Sequence, residues 1–138
     1  MSKSYSWKIA DQDDFHAIYT LIYNSKFRTA WGVDDVRRRI IIPLFLAQLI
    51  TFYDKDEKLC GFVTLAFMDT VSADHQATVG ILPNDWRSGP HLWVVDLFAN
   101  DGGGAQMLRA LMRDMDRTAY KSVRYFRLKY RKLAEVRV

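Results

Sequence analysis

At 138 residues, 49% hydrophobic and 26% charged, the chain carries enough apolar material for one core, and residues 1–138 are expected to form a single domain. Its longest apolar run, residues 40–50, is broken by Pro43 and Gln48 and falls short of the roughly 20 residues a membrane-spanning helix needs; the opening MSKSYSWKIADQDD lacks the apolar centre of a secretory signal, so the expected location is the cytoplasm. The formal charge of +4 is lopsided: residues 119–138 hold seven Lys or Arg against one Glu, while residues 1–118 hold thirteen basic and fifteen acidic side chains. Such a basic end suits an acidic partner or a phosphate-bearing ligand, and equally a solvated strand face.

Along residues 11–24, Phe15, Ile18, Leu21 and Ile22 recur at helical spacing, with Asp11 and Asp14 placed to cap the first turn. NSKFRTAWG interrupts the pattern. A second helix then begins at Asp34 or Asp35 and runs to about Leu46, with Pro43 expected to kink it or end it early. LITFYD and LCGFVTLAF, joined by KDEK, have the β-branched and aromatic content of a hairpin. The following segment, MDTVSADHQATVGILPNDW, has mixed periodicity and supports either a strand or a short helix with a loop.

HLWVVDLFA reads as a strand, NDGGG stops it, and Met107, Leu108, Leu111, Met112 and Met115 then make an amphipathic helix over about 105–117. SVRYFRLKYRK closes the pattern as an edge strand with one basic face. The fold class is therefore α+β or α/β, with helices packed on a mixed sheet.

Three features could carry chemistry. The succession of strand, Gly102–Gly104 and helix lets a backbone approach a ligand closely, and the free amides of a helix N-terminus favour a phosphate. DGGGAQ matches neither a nucleotide-binding P-loop nor a dinucleotide fingerprint, and the same glycines equally suit a simple turn. Asp96 is a carboxylate inside an apolar strand, where it must be paired, be protonated or face a cleft; general base work and a structural ion pair are both consistent with that placement. The histidines, His16, His75 and His91, lack a motif; His91 and Asp96 stand five apart, which by strict alternation puts them on opposite faces. Cys60, the lone cysteine, reads as a buried structural thiol and excludes an internal disulfide or a cysteine-based metal centre. Tyr125, Phe126 and Tyr130 interleave with the basic tail, which suits base stacking or, more simply, a charged edge that deters aggregation.

NSKFRTAW at 24–31, PNDWRSGPHLWVVDLFANDGG at 83–103, and the helix and SVR strand after them resemble the toxin-activating lysine acyltransferases, the cytoplasmic partners of RTX cytolysins. The resemblance covers roughly residues 12–126. Members of that family continue further, so the chain reads as shortened at its C-terminus. It implies a GNAT-like, mostly antiparallel sheet flanked by helices. The activity it implies is transfer of an acyl group from the phosphopantetheine thioester of acyl carrier protein, or from acyl-CoA, to a lysine of a protein acceptor, without a metal; a small amine or a nucleobase is an alternative acceptor. Asp96 falls on the family's catalytic aspartate, and Gly102, Gly103 and Gly104 fall beside the donor phosphate. Family members also pair as dimers.

One position departs from the pattern. In the family's Ser-x-x-His-x-x-Trp motif, Ser25 and Trp31 match, but Arg28 stands where the histidine belongs. Arginine stays protonated and is no general base, though it can pair with Asp96 or clamp an anion; Asp96 or His16 would then take the proton. Two further readings stay open: a scaffold that has lost the reaction and binds a protein instead, such as a phage-encoded inhibitor of a host target, and a nucleic-acid module built on the basic strand.

Overall fold

The structure, a computed structural model, describes residues 5–24, 31–69, 81–100, 102–114, 122–127 and 132–137, the last two stretches by backbone alone. The chain opens with a strand that the sequence pattern does not announce, β1 (Ser6–Ile9). It is four residues long and mostly exposed, too short for an alternation pattern to register. Asp11 then caps a 3-10 turn, accepting from the Asp13 amide at 2.9 Å, while Asp14 reaches back to the Asp11 amide at 2.9 Å. That reciprocal box starts α1 (Phe15–Tyr23), which buries Ile18 and Ile22.

The second helical rod is built in three parts: α2 (Val33–Val36), a π-helical turn (Arg37–Ile41) and α3 (Ile42–Phe45). Asp35 accepts from the Gly32 amide at 2.9 Å and fixes its start. Pro43 explains the middle. The Ile42 amide donates to the Arg37 carbonyl, one residue farther back than in an α-helix. The next carbonyl, that of Arg38, would take the amide of residue 43, which proline lacks. Trp86 Nε1 donates to it instead, at 3.1 Å. The rod ends in a reverse turn at Ala47, whose φ is 58°, with the amides of Ala47 and Gln48 donating to the carbonyls of Leu44 and Pro43.

The expected hairpin is present as β2 (Leu49–Tyr53) and β3 (Leu59–Met68), and HLWVVDLFA forms β4 (His91–Ala99). Gly104–Asp114 is α4. The closing segment differs from expectation. Ser122–Arg127 is β5, an interior strand between β4 and β6 (Lys132–Arg137), and β6 is the edge. KLAEVR is short and only partly apolar, so its alternation is submerged in the basic run; residues 128–131 and the side chains of both strands lie outside the described residues. The sheet runs β1 to β6 in chain order, antiparallel throughout except for the parallel pair β4 and β5. Residues 70–80 of the ambiguous segment also lie outside the described residues, and its end, Pro83–Trp86, forms a 3-10 turn. No described helix is long and apolar enough to cross a membrane.

α4 covers one face of the sheet, where Met107 and Leu111 pack with Phe52, Val63, Leu92 and Val94. α1 and the three-part rod cover the other, where Ile18, Ile40 and Leu44 meet Phe62 and Phe98. Trp86 and Ile81 extend that second layer over Trp93 and Val95. Gln48, the polar break in the apolar run, is a buried tie. Its Nε2 donates to the carbonyls of Leu65 at 2.8 Å and Trp86 at 2.9 Å, and its Oε1 accepts from Arg87 Nε. Cys60 is buried as expected, its thiol donating to the Phe52 carbonyl.

The run DWRSG, residues 85–89, closes a turn. Asp85 accepts from the Leu82 amide at 2.8 Å, Ser88 Oγ donates to the Asp85 carbonyl at 3.1 Å, and the amides of Ser88 and Gly89 both donate to the Phe67 carbonyl. A Cβ on Gly89 would stand 2.4 Å from the Asp69 nitrogen. These residues lock the turn onto the end of β3.

Two substitutions check this packing. A Cβ on Gly61 would sit 2.3 Å from the Phe98 carbonyl oxygen and 2.7 Å from Met107 Sδ, so Gly61→Ala is expected to cost about 3 kcal/mol, seen as a Tm drop of roughly 10 °C in thermal denaturation. Ala47→Gly relieves a left-handed residue and is expected to gain about 0.5–1 kcal/mol in the same measurement; a lower Tm would show that the Ala47 methyl group contributes more than the backbone relief.

Candidate functional site

β4 carries an extra residue. Thr64 pairs with Asp96 and Leu65 with Val94, which leaves Val95 without an opposite number. The Asp96 amide donates to Thr64 Oγ1 at 3.1 Å in place of a regular ladder bond. The bulge shifts the alternation by one. Trp93 and Val95 lie in the layer with Trp86, and Asp96, like Phe98, turns toward the same helical layer instead of away from it. His91, paired with Met68 at the start of the strand, is on that face too. The expectation that His91 and Asp96 face opposite ways is thus overturned, and the bulge is the reason.

The same point marks where β5 leaves. Its register with β4 covers only Leu92↔Val123 to Val94↔Tyr125. From Val95 to Ala99, β4 has its β3 partner on one edge and, among the described residues, no ladder with β5 on the other.

Asp96 is 8% exposed and ion-paired. Its partner is Arg39, whose Nη1 lies 3.0 Å from Oδ2 and 3.3 Å from Oδ1. The Arg39 guanidinium stands over the Trp31 ring, 5.7 Å from its centroid, and Trp31 meets Phe98 edge-on at 5.6 Å. Burial pushes the Asp96 carboxyl above the usual aspartate value, and the charge and hydrogen bond of Arg39 pull it part of the way back.

Arg39 is the site residue that sequence patterning misses. A signal for it exists: a buried acid needs a cation, and Arg37–Arg39 offers three. Asp34 takes Arg37 at 2.8 Å, and Asp34 and Asp35 take Arg38 at 3.0 and 3.2 Å, which leaves the third for the sheet. On a regular helical wheel Arg39 falls beside Val36 and Pro43, at the edge of the buried stripe. Ser25 and Arg28 lie outside the described residues. Trp31 is present, as a wall behind the pair.

Gly102, Gly103 and Gly104 come soon after the end of β4. Gly102 has φ +76°, and the Gly103 carbonyl accepts from the Met107 amide at 3.0 Å in the first turn of α4. A Cβ on Gly104 would stand 3.3 Å from Leu97 Cδ2, so the helix start lies close against the strand. Between this turn and α1 runs a groove of about 940 Å³ lined by His16, Ala17, Thr20, Leu21, Asn24, Leu59, Leu97, Phe98, Ala99, Asn100, Gly102 and Gly104. The glycine turn therefore opens on the groove, while Asp96 is not among the lining residues. Phe98 joins the two, with one side on the groove and its ring against Trp31.

The raised Asp96 pKa sets a sign for stability. Protonated Asp96 suits its buried site, and that contribution is complete below the unfolded value of about 3.9 and is lost as pH rises through the folded value. Asp96→Asn is neutral at every pH. Its stability relative to the parent chain is expected to rise with pH through this window and then level off, read from urea denaturation between pH 3 and 8. A parent chain that instead gains on the variant as pH rises would mean that Arg39 outweighs burial.

Solved structures share the fold. A GNAT-family acetyltransferase from Listeria monocytogenes aligns with a TM-score of 0.59 at 12% identity, over 91% of this chain and 79% of that one. The loading GNATL domain of CurA from Lyngbya majuscula aligns at 0.58 and 14% identity, over 91% and 65%. An aminoglycoside N(6')-acetyltransferase from Legionella pneumophila gives 0.56 and 12%, over 91% and 71%. At such identities the likeness shows the fold, a GNAT-like one. No curated protein sequence matches the chain. The family model described as the RTX toxin acyltransferase family, HlyC, matches residues 8–138, reaching beyond the motifs that suggested it on both sides. The chain belongs to the RTX toxin acyltransferase family.

Proposed function

We propose that this chain transfers an acyl group from a phosphopantetheine thioester, on acyl carrier protein or coenzyme A, to a lysine amine of a protein. The observation that carries the reading is the groove: it is mostly apolar, it is open, and it ends on the glycine turn at the N-terminus of an eleven-residue helix. An acylated pantetheine has matching parts. Its phosphate suits the amides of Gly102–Gly104 and the positive end of α4. Its extended amide-bearing arm suits the β4 edge that β5 leaves after Val94. The acyl chain suits the walls made by Leu21, Leu97 and Phe98.

Asp96 serves this reaction from behind the wall. Its carboxylate holds Arg39 under Trp31, and Trp31 holds Phe98 at the groove. The stretch 25–30 joins Asn24, which lines the groove, to Trp31, which backs it, so Ser25 and Arg28 are proposed to contact the acceptor or an anionic part of the donor. No described feature favours the non-catalytic scaffold or the nucleic-acid module over transfer.

The test is direct. Octanoyl- and palmitoyl-acyl carrier protein, and the matching coenzyme A thioesters, are incubated with the protein and a lysine-bearing peptide. Thiol release and a peptide mass gain of one acyl group are expected, and silence with every donor overturns the reading. Gly102→Ala, strained at φ +76°, should raise the donor KM several-fold while leaving the peptide KM in place.

A further inference from the structure

Acyl transfer to an amine needs a proton acceptor, because a lysine side chain, with a pKa of about 10.4, enters as an ammonium ion and attacks only as the neutral amine. The groove offers one. Of the twelve described residues lining it, His16 alone carries an ionisable side chain. The other described lining residues, from α1, the start of β3, β4 and the glycine turn, bring no ionisable side chain to it, and Asp101, between Asn100 and Gly102, lies outside the described residues; on its own helical segment, Asp13 and Tyr19 stand three positions to either side.

Other proton acceptors are poorly placed. Asp96 does not line the groove and is tied to Arg39. Cys60 is buried, with its thiol on the Phe52 carbonyl. His91 begins the strand whose far end borders the groove, roughly 25 Å away along β4. Arg28 holds its proton.

The helix geometry adds a second argument. His16, Thr20 and Asn24 succeed one another at four-residue spacing and all line the groove, so α1 presents to it a polar row facing Leu97, Gly102 and Gly104. Thr20 Oγ1 donates to the His16 carbonyl at 2.9 Å, which leaves the histidine ring uninvolved in that contact. A polar row opposite a glycine turn, with the one histidine among the described lining residues at its head, suits an amine approaching a thioester.

We propose that His16 is the proton acceptor for the incoming amine, an inference that rests on the acyl-transfer reading above. The lysine ammonium gives one proton to the neutral imidazole. The amine nitrogen attacks the thioester carbonyl carbon, the N–C bond forms and the C–S bond breaks. The second proton on nitrogen passes to the departing thiolate. One amide, one thiol and one proton, released from His16 to solvent, balance the step.

The experiment compares the parent chain, His16→Gln and His16→Ala in the thiol-release assay with octanoyl-coenzyme A, octanoyl-acyl carrier protein and the lysine peptide, across pH 5.5–9. Circular dichroism and Tm confirm that both variants fold, as expected for an exposed helical position. A fall in kcat/KM of about 10²-fold or more is expected, with loss of the acid limb of the pH profile in His16→Gln. Added imidazole should restore turnover to His16→Ala, which a purely structural role would not allow. Turnover by His16→Gln within threefold of the parent and with the parent's pH profile overturns this inference and leaves the acyl-transfer reading standing. Absence of turnover by the parent chain overturns both.

Discussion

A single extra residue in β4 organises the working half of this molecule. Because Val95 has no counterpart on β3, everything beyond it is turned over relative to the first half of the strand. Asp96 is rotated into the helical layer, Leu97 faces the glycine turn, and the ladder to β5 stops at Val94. Without the bulge, Asp96 would point at the α4 face, into the company of Val63, Leu92 and Met107, an apolar cluster. With it, the acid meets Arg39.

That meeting couples two irregularities of different kinds. The strand bulge delivers a carboxylate, and the π turn delivers the guanidinium. Each irregularity has its own local compensation: Thr64 Oγ1 takes the Asp96 amide, and Trp86 Nε1 takes the Arg38 carbonyl. These two displaced backbone groups thus each find a side chain. A carboxylate is costly inside a sheet, and this one is kept there beside a guanidinium, its pKa raised by burial and pulled part of the way back by Arg39.

Much of the framework is written in local patterns. The α1 cap, the β2–β3 hairpin, the limits of β4 and the glycine start of α4 all derive from spacing and turn chemistry, because each is decided by neighbours within a few residues. β1 and β6 escape such a reading, being short strands stabilised by pairing with partners distant in sequence or hidden in a basic run. At the site, the aspartate and the glycines are visible as anomalies of composition. The choice of Arg39 and the shared face of His91 and Asp96 are not: the first depends on which of three successive arginines Asp34 and Asp35 leave over, the second on a shift of one residue that no periodicity announces. The DWRSG run is a reverse case: it lies within a stretch that carries the family resemblance, yet its described side chains serve to close a turn.

The proline in the rod also bears on the order in which the chain acquires its shape. A helix ordinarily completes itself from within, each carbonyl meeting an amide four residues on. Here the Arg38 carbonyl meets a tryptophan 48 positions later in the chain. During synthesis the rod emerges before β3, before the turn that carries Trp86 and before the strand that carries Asp96. Its last turns, and the Arg39 they aim, therefore settle only when distant segments have closed over them, a late and non-local event in an element that looks local. The Trp31–Phe98 contact and the second sheet face consequently mature together, and a chain released before that closure would hold its helices without holding the Asp96–Arg39 pair.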